Sequence, residues 1–289
     1  MFIQKKVFIV NNINRTKSTL FFAIAISLTL VAGAFLSLAV TTEYESILGH
    51  FMRGAMFAPA VYVTCGAAFI CGIVSFILLR RTEIDCTVKA GIFPCFTHAL
   101  TAFMTVAAIA FEYLTAPEAD ASVNAGYSVS LINIAYYIFA LGICAAFLMY
   151  GFSGAYKSTA AKLLSFCPVI YCAIKTLMLY FDESIAVNGP LKIMCQLAYV
   201  SLMLMFVCDS GLAVEKENIF GRFYMCTLWA VVMSGAVSAA SLAAHIMNIK
   251  SFELSLAETC LLTAFFLTAL SKLWHISFKL ISVSEDEEQ

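Results

Sequence analysis

The sequence predicts an all-α protein, a polytopic transmembrane bundle of eight spanning helices with its N-terminus and C-terminus both cytoplasmic. Three observations carry that expectation: composition, the length of the apolar runs, and the distribution of Lys and Arg. Of 289 residues, 62% are apolar and 12% charged. That is about half the charge of an ordinary soluble domain, with more apolar surface than one core can hide, so lipid must be the solvent for most of the chain. The apolar runs are continuous rather than alternating, which excludes a strand-built barrel, and an open strand in lipid would leave backbone groups unsatisfied.

Residues 1 to 18 are polar and basic, with Lys5, Lys6, Arg15 and Lys17. The first run follows, Leu20 to Val40, long enough for a hydrocarbon core of ~30 Å and longer than the core of a signal peptide. It reads as a signal anchor; cleavage near Ser37-Leu38-Ala39, leaving seven helices, is the alternative. Further runs follow at 58–79, 93–114, 129–152, 160–181, 191–207, 223–245 and 254–280. The last is longer than a span needs, and its Lys272, Trp274, His275 and Lys279 read as an interfacial end. All connections are short, so the whole chain reads as a single transmembrane domain.

With the N-terminus inside, the inner segments collect Lys5, Lys6, Arg15, Lys17, Arg80, Arg81, Lys89, Lys157, Lys162, Lys216, Arg222, Lys272 and Lys279. The outer segments hold Arg53, Lys192 and Lys250, and Lys175 stays within a run. This asymmetry follows the positive-inside rule and supports an even number of spans.

Several classes are excluded. A net charge of -1 gives no reason to expect a nucleic-acid partner. No phosphate-binding or dinucleotide-binding glycine pattern is present, so no cofactor is expected. Most of the eleven cysteines lie inside apolar runs, where they serve as small packing residues, and no spacing suggests a metal site. Pro94-Cys95 and Cys167-Pro168 fall in the third and fifth runs, the wrong offset for a four-plus-four repeat. The tail Glu285-Asp286-Glu287-Glu288 reads as a solvated end.

Ionisable residues inside spans are costly, so each is a functional hypothesis. Lys175 lies six residues before Phe181, ~9 Å along a helix. A lysine stem covers much of that distance, and snorkelling toward Asp182 is the favoured expectation. Glu258, a few residues into the last run, falls at a similar depth and is a possible partner. Glu112, Asp182 and His245 mark the outer ends of their helices in the same leaflet. Lys175, Glu258, Asp182, Glu112 and His245 are thus the candidate polar site, with no catalytic, cofactor-binding or metal residue assigned. Ser234, Ser238, Ser241 and His245 form a stripe on the seventh run, and Asn133, Tyr137, Ala140 and Cys144 one on the fourth. Both read first as close helix packing, as do Ala68-x-x-x-Gly72 and Gly235-x-x-x-Ala239.

Gly151-Phe152-Ser153-Gly154 resembles the Gly-x-Ser-Gly of rhomboid intramembrane proteases, and Ala244-His245 their Ala-His. A Ser/His dyad needs contact between the side chains. The charge-based topology instead puts Ser153 and His245 a membrane apart, and Gly154 ends a helix where the family's serine opens one. The protein is therefore not expected to be an enzyme. Pro168, Tyr171, Lys175 and Tyr180, then a helix ending at Asp209 and Arg222 opening the next, resemble a group of uncharacterised multi-pass bacterial membrane proteins. That resemblance implies a topology and a bacterial inner-membrane setting, with no chemistry attached. The leading expectation is a small-solute permease or transport-associated protein, whose partners are the bilayer, a small solute or other membrane subunits. The competing class is a non-transporting accessory or sensor subunit.

Overall fold

The computed structural model describes residues 2–45, 49–80, 91–115, 131–154, 156, 158–181, 189–214, 219–249 and 254–278. Over these it is an all-α bundle, with eight helical segments long and apolar enough to cross a membrane. Continuous apolar sequence leaves intrahelical hydrogen bonding as the only way to satisfy the backbone in lipid, and that rule sets the architecture.

Helix α1 (Phe2–Leu38) runs on through a π-helical turn (Ala39–Glu43) into a short hairpin, β1 (Tyr44–Glu45) and β2 (His50–Phe51). The strands are antiparallel, with Tyr44 opposite Phe51. Glu43 turns back from the end of the π turn, and its carboxylate accepts hydrogen bonds from the backbone N–H groups of Met56, Phe57 and Ala58. Those donors open α2 (Phe57–Leu79), so a residue from the first span caps the second.

Helices α3 (Ile92–Thr115) and α4 (Leu131–Ser153) follow. Gly154 at φ +70° then closes α4, its N–H on the Tyr150 carbonyl at 2.7 Å. The fifth span is broken into α5 (Thr159–Leu164) and α6 (Cys167–Phe181). The sequence reads there as one run, yet Pro168 has no N–H for the Leu164 carbonyl, and the residue before a proline resists helical geometry. The carbonyl freed at Ser165 accepts the Ser210 hydroxyl at 2.7 Å, so the break is satisfied inside the protein.

Helix α7 (Pro190–Ala213) is longer than the sixth apolar run, continuing past Val207 through buried Cys208, Asp209 and Ser210. Helices α8 (Phe220–Ile246) and α9 (Leu256–Phe278) complete the chain. The α8 helix is the most buried of the described spans and touches α1, α2, α7 and α9. Small residues allow this: Gly33 of α1 faces Ala239, and a side chain on Gly235 would collide with Thr29 and Phe266. Gly72 lies under the Trp229 ring. The small-residue motifs of the second and seventh spans are therefore packing surfaces.

Successive contacts α3–α4, α4–α6, α6–α7, α7–α8, α8–α9 and α9–α3 close a six-helix ring, with α1 and α2 outside it against α8. The alternating helix directions define two sides. The hairpin side carries the ends of α6 and α8 and the start of α9; the far side carries the ends of α4, α7 and α9. Asp182, Lys279 and the acidic tail lie outside the described residues.

Candidate functional site

One helix organises the ring interior. On α9, Glu258, Phe265 and Lys272 recur every seven residues, which returns each to nearly the same face over ~21 Å of helix. All three meet partners from other ring helices.

At the hairpin side, Lys175 of α6 is 5% exposed, and its Nζ donates to Glu258 Oε1 at 2.5 Å. Glu112 Oε1 of α3 lies 3.9 Å from the same ammonium and accepts the Tyr136 hydroxyl at 3.3 Å. The ammonium also sits 4.7 Å from the Tyr136 ring centroid. Tyr171 donates to the Tyr136 oxygen at 3.3 Å. Tyr199 of α7 interacts electrostatically with Glu258 and Tyr136, and its fully buried hydroxyl has no hydrogen-bond partner among the described residues. Snorkelling is thus corrected: the lysine stem turns into the protein because two carboxylates and an aromatic ring compensate its charge better than a headgroup across several ångströms of lipid.

Below this cluster the ring interior is aromatic. Tyr136 meets Tyr171 at 5.2 Å between centroids, Tyr171 meets Phe265 at 6.0 Å, and Phe265 meets both Phe206 and Phe147 at 5.9 and 6.4 Å. Phe147 lies 4.9 Å from His98, which stacks on Tyr150 at 4.1 Å. These rings come from α3, α4, α6, α7 and α9 and fill the ring along its length.

The far side repeats the arrangement of the hairpin side. Lys272, 4% exposed, donates to Asp209 Oδ1 at 2.6 Å and sits 4.5 Å from the Tyr150 ring centroid, with the Tyr156 ring at 6.0 Å. Tyr156 lies between α4 and α5, where burial, with Asp209 adding to it, pushes its phenol well above the ordinary range and keeps it neutral. Its hydroxyl and His98 Nε2 are buried without hydrogen-bond partners among the described residues. The interfacial reading of Lys272 is therefore corrected. Asp209 neutralises it inside the bundle, and the same pairing lets α7 continue beyond the predicted end of its run.

The expected site residues separate into groups. Lys175, Glu258 and Glu112 converge. His245 does not join them; its Nε2 lies 3.1 Å from the Leu254 carbonyl oxygen and 3.2 Å from Thr259 Oγ1, where it ties the end of α8 to the start of α9. On α8, Ser234 bonds back to the Ala230 carbonyl and Ser241 meets Thr259 at 2.5 Å, so those positions of the stripe serve helix packing. Half of the stripe on the fourth span faces inward, Ala140 and Cys144 being buried, and the other half does not. Asn133 and Tyr137 are exposed, while Tyr136, Ala140, Ile143 and Phe147 face inward. Ser153 lies at the far side, its hydroxyl on the Met149 carbonyl, and His245 at the hairpin side, so the two form no dyad.

The α3–α9 seam is built of hydroxyls, with Thr97 on Ser271 at 2.7 Å and Thr101 on Thr268 at 2.8 Å. Short side chains with mutually satisfied oxygens let these helices approach and hold Glu112 beside Glu258. Among the described residues, no three His, Cys, Asp or Glu side chains converge as metal ligands. Compared with protein-family models, curated proteins and solved structures, the chain matches none. What the site does must therefore be argued from its own geometry within a polytopic membrane protein.

Proposed function

We propose that this protein is a small-solute permease of a bacterial inner membrane, not an enzyme, with both termini cytoplasmic and the hairpin side facing outward. The observation that carries this reading is the ring interior: an aromatic column closed at each end by a buried lysine–carboxylate pair, with α9 contributing to both pairs. A structural ion pair needs no counterpart at the other end of a column. Two pairs on one helix, ~21 Å apart, give each side a polar closure that can open while the other stays shut.

The physical requirement is differential contact. Separating Lys175 from Glu258 leaves buried charge exposed to a low-dielectric interior, which is costly unless a solute supplies replacement contacts. Glu112 offers Lys175 a second carboxylate during that exchange. The break between α5 and α6 separates the far end of the fifth span from the part bearing Lys175, so the two can tilt independently.

The test is uptake into proteoliposomes of purified protein, using labelled small amines, amino acids and carboxylates. Saturable uptake of one class is expected, abolished in Lys175→Ala at equal reconstitution. Uptake that Lys175→Ala leaves unchanged removes the pair from the mechanism. No uptake of any class, together with a stoichiometric second subunit in mild detergent, would replace the permease reading with the accessory-subunit one.

A further inference from the structure

The two ends of the column are alike in chemistry and unlike in charge. At the far side one ammonium meets one carboxylate, Lys272 with Asp209. At the hairpin side one ammonium, Lys175, lies within 4 Å of two carboxylates, Glu258 at 2.5 Å and Glu112 at 3.9 Å. With both carboxylates ionised, the hairpin-side cluster has one negative charge without a compensating cation among these three groups. Buried or partly buried, such a charge favours a cation.

The surroundings say which kind of cation fits. Both lysines show how this interior holds a protonated primary amine: a carboxylate at 2.5 or 2.6 Å and a tyrosine ring at 4.7 or 4.5 Å from the nitrogen. At the hairpin side, an independent feature points to a ligand. The Tyr199 hydroxyl is fully buried, unpartnered among the described residues, and interacts electrostatically with Glu258 and Tyr136. An unmade hydrogen bond in such a position is costly, and a ligand N–H would satisfy it. The two carboxylates are the accessible members of the cluster, Glu112 with a side chain 25% exposed and Glu258 with one 19% exposed, against 6% for Lys175.

We propose that the Glu112–Glu258 cluster with Tyr136 and Tyr199 is a binding site for a small primary-amine cation. The incoming ammonium takes Glu258 and the Tyr199 oxygen as acceptors. Lys175 shifts its contact to Glu112, so the cluster ends with two cations on two carboxylates. An anion is disfavoured at the same place because the local balance is already negative, and a quaternary ammonium lacks the N–H groups that the two acceptors require. The permease reading enters only where the bound cation is said to cross.

Binding is measured first, on the intact protein in detergent, as the shift of its unfolding temperature with propylammonium, tetramethylammonium or sodium propionate chloride-matched for ionic strength. A saturable stabilisation by propylammonium alone is expected. Glu112→Gln and Tyr199→Phe, each checked for a monodisperse elution profile, should weaken half-saturation about tenfold or more, the loss of one charge-assisted contact. Stabilisation by propionate in place of propylammonium, equal stabilisation by tetramethylammonium, or a propylammonium response that both variants leave intact overturns the proposal. Labelled propylamine uptake in vesicles then separates the two ideas. Variant-sensitive binding without uptake keeps the amine site and overturns the permease; uptake that is indifferent to Glu112→Gln and Tyr199→Phe keeps the permease and overturns the site.

Discussion

Replacing Asp209 by Asn should leave the Lys272 ammonium deep in the bundle with the Tyr150 ring and a neutral amide in place of its carboxylate. Lys272 is 4% exposed and Asp209 8%, at 2.6 Å, so water replaces little of what is lost. Breaking one partner of a buried pair costs about 3–5 kcal/mol, because the survivor remains charged and desolvated. Lys272→Met should cost a similar amount by stranding Asp209. The double replacement Asp209→Asn, Lys272→Met removes both charges, leaves a polar amide beside an apolar chain, and should cost less than either single change, giving a coupling of several kcal/mol. The assay is reversible unfolding in mixed micelles, read by Trp fluorescence, since Trp274 lies two residues from Lys272. A double variant whose loss equals the sum of the single losses would refute the reasoning, because two charges that do not depend on each other are not a pair.

The hairpin-side cluster should behave asymmetrically under the same assay: Glu258→Gln leaves Lys175 beside Glu112, whereas Lys175→Met leaves two carboxylates facing each other, so the lysine replacement should be the more destabilising by ~1–2 kcal/mol. Tyr199→Phe should stabilise the ligand-free protein, by up to ~1 kcal/mol, since it deletes a buried hydroxyl without a partner among the described residues; a loss of stability would show that the hydroxyl is bonded. Ser210→Ala should cost ~1–3 kcal/mol by withdrawing the donor on the Ser165 carbonyl, and an unchanged unfolding midpoint would show that the break needs no such support. Gly235→Leu should prevent α1 from seating on α8, visible as loss of the monodisperse species, because even a Cβ there comes within 2.5 Å of Thr29.

The helices were legible because eight runs of apolar residues have no other way to satisfy their backbones, and charge and hydropathy report depth directly. Azimuth was much harder to read. On α4, Tyr136 and Tyr137 are adjacent, aromatic and equally suited to a polar stripe, yet packing turns only Tyr136 inward. Hydropathy carries no signal for that choice when both lipid and protein interior are apolar. The Lys175–Glu258 pair could be suspected from matched depth alone, since each residue sits a few residues in from the same side. Lys272 and Asp209 looked like the wet ends of their helices, because a charge near a span terminus has the same sequence signature whether it meets water or a buried partner. The seven-residue recurrence of Glu258, Phe265 and Lys272 is a signal in the sequence that would have placed them on one face, and it went unused. The break at Phe166-Cys167-Pro168 was likewise marked by its proline, although its satisfaction by Ser210, forty-five residues on, follows from tertiary packing.

The carboxylate of Glu43 on the first N–H groups of α2 bears on how the chain is put together during synthesis. Its partners lie only thirteen to fifteen residues away, so closing that clasp needs nothing beyond Ala58. The first two spans can therefore settle into the bilayer as a finished pair while every residue of the ring is still unmade. Their shared flank then offers α8, six spans later in the chain, a preformed berth: Gly33 is already turned toward the place that Ala239 will occupy.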